Sequence, residues 1–315
     1  MQRVNQYKVG CVQAGSVLFN LDESLAKAQK YITQAAAEGV KLLVFPEAYL
    51  SGYPSGLSFG TVVGSRTAAG RDMYQRYWQS SVEVPGPVTE QLGKMAREAG
   101  LFLVMGVIER DAANKTLYCT LLYFTPDGEL AGKHRKIKPT AGERIVWGEG
   151  DGSTLVSFAT PLGRLGGLIC WENYMPLARM AMYSQGVEVY VAPTADSRPT
   201  WQSTMEHVAC EGRCYVIGCN QYFTQDYYPE DLRATIPPDR DHVLSRGGST
   251  IISPLGQVLA GPLYDEEGLL TADIDLEEIV RSKFDFDVNG HYTRPDIFTF
   301  EVKDQPPIKK LDFDM

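Results

Sequence analysis

Apolar positions along this chain follow two different periods. In YKVGCVQA (7–14) and VKLLVFPE (40–47) they run nearly unbroken, the pattern of strands buried on both faces. Between these runs Leu21, Leu25, Ala28, Ile32 and Ala35 recur at intervals of three and four, one face of a helix that Gly39 ends. The alternation continues. A helix near 87–99 leads into a strand at LFLVMGVIE (101–109), one near 174–185 into VEVYVAP (187–193), and one near 201–212 into CYVIGCN (214–220). Helix–strand alternation of this kind predicts an α/β fold. Two further stretches, LYCTLLYFTPDGELAGKHRKI (117–137) and STIISPLGQVLAGP (249–262), carry PDG and PLG turns and read as hairpins, so the sheets are expected to be mixed. No internal repeat or Pro/Gly linker divides the chain before a polar, proline-containing tail, which predicts one domain over 1–280 and a C-terminal arm over 281–315. The segments 53–70 and 222–247 read as long loops, a length usually tied to function or partner contact.

Composition narrows the classes. With 315 residues, 44% of them hydrophobic and 22% charged, the chain can bury a large core. The net charge of −9, without a block of like charges, argues against nucleic acid as a partner. No apolar run reaches the roughly eighteen residues of a membrane span, and MQRVNQYKVGCVQAG has no apolar leader core, so a soluble cytoplasmic protein with no membrane partner is expected. Six cysteines, at 11, 119, 170, 210, 214 and 219, lie mostly inside strand-like runs and read as reduced thiols.

Three residues stand where chemistry is usually placed in α/β sheets, at the carboxyl ends of strand-like runs. Cys170 follows LGGLI, Glu47 follows VKLLVFP, and Lys136 lies in GKHRKIKPT, where strand alternation separates 134, 136 and 138 from 133, 135 and 137. A thiol needs a base or a cation to react, a desolvated carboxylate is a stronger base than usual, and one lysine turned inward would supply the charge. Taken singly, each has an ordinary explanation: a packed core thiol, a solvated carboxylate and an exposed basic edge.

Together, FPEAYLSGYP (45–54), HRKIKPTAGERIVWGEGDGS (134–153), CWENYMPLAR (170–179), APTADSRPTWQSTMEHVACEGRC (192–214) and GHYTRPD (290–296) resemble the nitrilases, the nitrile-hydrolysing branch of the carbon-nitrogen hydrolase superfamily, over about residues 7 to 300. The resemblance implies a four-layer α-β-β-α sandwich and a Glu-Lys-Cys triad on Glu47, Lys136 and Cys170. It also implies a second active-site carboxylate at Glu143, whose ordinary alternative is an ion pair with Arg144 or Arg135. Tyr53, Trp171, Pro193 and Thr194 are the implied pocket walls, Pro193–Thr194 as a turn, and the backbone N–H of Trp171 the partner of developing charge. The implied activity is hydrolysis of a small-molecule nitrile to the acid and ammonia through a thioimidate, with no cofactor and no metal. Hydration that stops at the amide, or amidase chemistry on the same triad, is the alternative. Relatives of this kind dimerise and build larger or spiral homo-oligomers, with the arm expected at a subunit interface. From another class, His207, Cys210 and Cys214 fall at helical spacings and, with Cys219, offer a metal or redox site as a competing reading.

Overall fold

The computed structural model describes residues 3–304 and 308–311. Two mixed sheets form its centre. In the first, the strands run in the order Gly268–Asp275, Gln6–Gln13, Val40–Val44, Phe102–Arg110, Leu117–Phe124 and Leu130–Arg135. The pairings from Gln6–Gln13 to Phe102–Arg110 are parallel and the outer ones antiparallel. In the second, Val243–Ile252, Tyr215–Asn220, Val189–Thr194, Gly163–Gly167 and Ser157–Thr160 follow one another, again parallel at the centre.

Because the central strands are buried on both faces, alternate residues serve different layers. Val9, Cys11, Leu42, Val44 and Val104 of the first sheet meet Val189, Val191, Ile217 and Cys219 of the second in one core. Their neighbours Val12, Leu43 and Leu103 face the opposite way, against Leu25, Ala28 and Ile32 of the helix Leu21–Ala37 and Leu92 and Ala96 of the helix Pro87–Ala99. On the far side, Tyr190, Ala192 and Val216 pack against Met182 of Pro176–Ser184 and Trp201 and Met205 of Thr200–Gly212. The order helix, sheet, sheet, helix is the four-layer sandwich that the family resemblance implied.

Several boundaries differ from expectation. The helix foreseen near 174–185 is a 3-10 turn, Cys170–Tyr174, followed by an α-helix that starts at Pro176, a residue suited to a first helical turn. The segment read as a loop to residue 70 runs into a helix, Ala68–Gln79, capped by the Thr67 side chain. The strand expected from 249 begins at Val243, so the second long loop is shorter and itself holds a short helix, Glu230–Arg233. Beyond Ser282 the chain returns across the second helix layer, with Val288, Phe300 and Val302 packed on it and Lys309–Lys310 added at the edge of Ser157–Thr160.

Candidate active site

Glu47, Lys136 and Cys170 do not end strands; each sits just past one, where the backbone turns. The Glu47 turn follows Val40–Val44 and is tight, with Ala48 at φ 51° and Ser51 at φ 83°. It lies directly on Gly106 of the neighbouring strand, where an added Cβ would come within 1.9 Å of the Pro46 carbonyl oxygen. From the other sheet Gln221 Nε2 donates to the Glu47 carbonyl at 2.6 Å. Lys136 follows Leu130–Arg135 by one residue, its N–H bound to the Cys119 carbonyl at 2.8 Å. Cys170 opens the 3-10 turn with φ 51°, a left-handed conformation that costs a non-glycine residue roughly 1–3 kcal/mol and aims its side chain out of the strand line. Asn173 Nδ2 holds that turn by donating to the carbonyls of Leu168 at 3.1 Å and Cys170 at 2.8 Å.

All three side chains are buried and converge. Lys136 Nζ donates to Glu47 Oε1 at 2.6 Å and to Glu143 Oε2 at 2.7 Å, so Glu143 pairs with this lysine and not with Arg135, which Glu109 binds instead. Glu143 is further fixed by the Thr140 N–H at 2.6 Å and the Tyr53 hydroxyl at 2.7 Å. Thr194 Oγ1 lies 3.1 Å from Cys170 Sγ. Cys119 Sγ stands 3.5 Å from Glu47 Oε1.

The electrostatics follow from burial. Loss of water raises the Glu47 carboxyl, against the pull of Lys136, with Glu143 adding to the rise. Burial works against the Lys136 charge, yet Glu47, Cys170 and Glu143 together hold its ammonium well above the ordinary lysine value. The Cys170 thiol is pushed up, first by burial and then by Glu47, with Lys136 opposing. Burial thus disfavours the thiolate and the Glu47 carboxylate alike, while the surrounding groups hold the ammonium charged. Such a thiol reacts only when its proton leaves as it attacks.

A cavity of about 400 Å³ lies beside this cluster and reaches it at Glu143 and Tyr53; Glu47, Lys136 and Cys170 are not among the residues that line it. Tyr53 and Glu143 belong to both, and Leu57, Phe59, Ile145, Trp147 and Trp171 supply apolar wall. Tyr53 meets Trp147 edge to face at 5.6 Å, and the Lys136 ammonium lies 5.7 Å from the Trp147 ring. Trp171 is held by its indole N–H to Asp196 Oδ2 at 2.9 Å and by Arg198 over its ring at 4.9 Å. The expected Pro193–Thr194 turn is the end of the strand Val189–Thr194, and neither residue is among those lining the cavity, although Thr194 reaches the thiol. His207, Cys210, Cys214 and Cys219 do not gather. His207 pairs with Glu211 on the exposed side of its helix, Cys219 donates toward the Val12 and Val44 carbonyls between the sheets, and among the described residues no cluster suits a metal ion.

The family model for the carbon-nitrogen hydrolases matches residues 8–284. This chain belongs to the carbon-nitrogen hydrolase family. Similar curated relatives include an aliphatic nitrilase of Sinorhizobium fredii, 51% identical over 96% of this chain and 97% of that one. A bifunctional nitrilase/nitrile hydratase of Lupinus angustifolius is 50% identical over 94% and 85%, and nitrilase 3 of Arabidopsis thaliana is 48% identical over 95% and 87%. The chain is thus a member of the nitrilase branch. Its fold is also that of a branch 10 member of the nitrilase superfamily from Saccharomyces cerevisiae, with a TM-score of 0.73 at 22% identity over 94% of this chain and 98% of that one.

Four further residues of this carbon-nitrogen hydrolase site, Trp147, Cys119, Glu172 and Asn173, are not legible as such in the sequence. Trp147 stands four positions after Glu143, an interval that a helical turn would have flagged. Cys119 reads as one more strand thiol, and nothing in the spacing of Glu172 and Asn173 shows that they hold the Cys170 turn.

Proposed function

We propose that Glu47, Lys136, Cys170 and Glu143 hydrolyse a nitrile to the carboxylic acid and ammonia. The convergence of the buried Glu47–Lys136–Glu143 cluster on the buried Cys170 thiol, which hydrogen-bonds to Glu47, is the observation that carries this reading. Glu47 takes the thiol proton as Cys170 Sγ bonds to the nitrile carbon and returns it to the nitrogen, which has gained negative charge, giving a thioimidate. Lys136 and the backbone N–H of Trp171 stabilise that charge, a kind of contribution worth about 10²–10³ in rate. Water then adds to the thioimidate carbon, the C–N bond breaks to release ammonia and leave a thioester, and a second water breaks the C–S bond to give the acid and restore the thiol. Glu143 holds Lys136 in place and, with Glu47, keeps it charged. The cavity walls favour an uncharged, largely apolar group on the nitrile.

The relatives named as bifunctional nitrilase/nitrile hydratases support the amide as a second product, formed when C–S breaks before C–N. Assay of ammonia and amide on one panel of aliphatic and aromatic nitriles tests both readings: amide without ammonia would overturn hydrolysis to the acid, and absence of both products would overturn the function. Cys170→Ala is expected to abolish turnover, and mass spectrometry on a slow nitrile to place the adduct on Cys170; an adduct on Cys119 would refute the assignment. Homo-oligomerisation accompanies this reading, supported by the exposed apolar side chains Leu177, Phe284 and Phe298 and tested by light scattering.

A further inference from the structure

Glu172, two residues past the thiol, is 1% exposed, and no step above uses it. Its carboxylate reaches in two directions. Oε2 accepts the N–H of Ile169, the residue before Cys170, at 2.6 Å. Oε1 accepts the N–H of Ile137, the residue after Lys136, at 2.7 Å. The first bond is a local cap of the 3-10 turn, but capping does not account for the second, which crosses to a segment of the other sheet. Both oxygens also face His134 Nε2, at 2.9 and 3.2 Å, and His134 Nδ1 lies 3.0 Å from the Thr154 carbonyl oxygen. A carbonyl only accepts, so Nδ1 carries a proton, and against the effect of burial the Glu172 carboxyl and the hydrogen bond to Thr154 raise the His134 imidazole. The imidazole and the carboxyl are sealed together at 1% and 0% side-chain exposure. A buried pair of this kind adds little net stability over apolar packing, so its value here lies in geometry.

We propose that Glu172, ion-paired with His134, is a positioning residue that clasps the main chain beside Cys170 to the main chain beside Lys136 and so sets the spacing between thiol and ammonium across the two sheets. Each sheet contributes one partner; the sheets otherwise meet near the site through apolar packing, which does not define a separation to a few tenths of an ångström, and through the Gln221 bond to the Glu47 carbonyl, which holds the base and not the lysine. Charge-assisted bonds of 2.6 and 2.7 Å to two backbone amides do define that separation. The clasp touches neither substrate nor cavity wall, so it should act on turnover and not on binding.

The inference takes its substrate, a nitrile, from the function proposed above. In Glu172→Gln one oxygen becomes an NH₂ that meets a backbone N–H donor to donor, so one arm of the clasp opens, and His134 loses its counter-charge. The expected result is a fall of about 10- to 100-fold in kcat at a KM within about threefold, the scale of a small misplacement of reacting groups. A larger amide fraction should accompany it, because Lys136 no longer meets the intermediate where C–N cleavage needs it. Glu172→Asp, shorter but charged, serves if the glutamine variant does not fold, and should fall between it and the parent. Alkylation of Cys170 by iodoacetamide, which needs no nitrile, should slow in the same order. If the parent protein turns over no nitrile, the function fails while the alkylation order still reads the clasp. Unchanged kcat, product ratio and alkylation per folded molecule, with only melting temperature lowered, would overturn the proposal.

Discussion

At the scale of single residues, the protonation states set the pH dependence. Burial holds the Glu47 carboxyl above the 4.5 of an ordinary glutamate, and below its own pKa the group is protonated and unable to take the thiol proton. The acid limb of kcat/KM is therefore expected above the ordinary carboxylate range, activity being lost as pH falls through it; a limb at about 4.3 would contradict a desolvated base. Thr194 offers a second check. Its hydroxyl donates to Cys170 Sγ, and a bond to sulfur that bears charge in the transition state is worth about 1.5–3 kcal/mol, so Thr194→Val should lower kcat by roughly ten- to a hundredfold with folding intact. Cys170, Glu47 and Lys136 stand out from their place after strand-like runs, and Glu143 from the family resemblance alone. Cys119 and Glu172 do not stand out, because a buried side chain that contacts a partner more than thirty positions away leaves no local pattern.

At the scale of elements, the site depends on turns laid across neighbouring strands. The Glu47 turn sits on Gly106 so closely that a methyl group there would approach the Pro46 carbonyl to 1.9 Å. Gly106→Ala is expected to lift the turn or buckle its strand, lowering kcat by an order of magnitude or more. Restoring flexibility elsewhere should not rescue it; kinetics beside a melting curve would reveal a variant that is merely unstable. The unbroken run VKLLVFPE marked the strand but not its end, since Phe45 stays buried in the turn as the strand residues do. Ala68–Gln79 escaped notice for the opposite reason: it buries little beyond Gly70 and Tyr77 and so lacks an apolar face to read. Helices with a full apolar stripe, such as Leu21–Ala37, were legible almost to the residue.

At the scale of the whole molecule, Glu47 and Lys136 come from one sheet and Cys170 and Thr194 from the other, so the contact between sheets is part of the site. That layering was not readable from periodicity, because a strand covered by a helix and a strand covered by another sheet show the same unbroken apolar run; family resemblance supplied it. Cys219 lies in the sheet-to-sheet core with its thiol 3.2 Å from the Val12 carbonyl and 3.3 Å from that of Val44. Cys219→Leu overfills this contact, at about 1–3 kcal/mol, and must press the sheets apart or tilt one against the other. Ile32→Val, in the outer helix layer, costs a comparable 0.5–1.5 kcal/mol, roughly, without touching that contact. Both variants should melt earlier, but only Cys219→Leu should lose kcat, because only there does the strain reach the distance between base and thiol. Equal retention of kcat in the two would mean that the turns alone hold the catalytic groups, and that the sheets are free to shift beneath them.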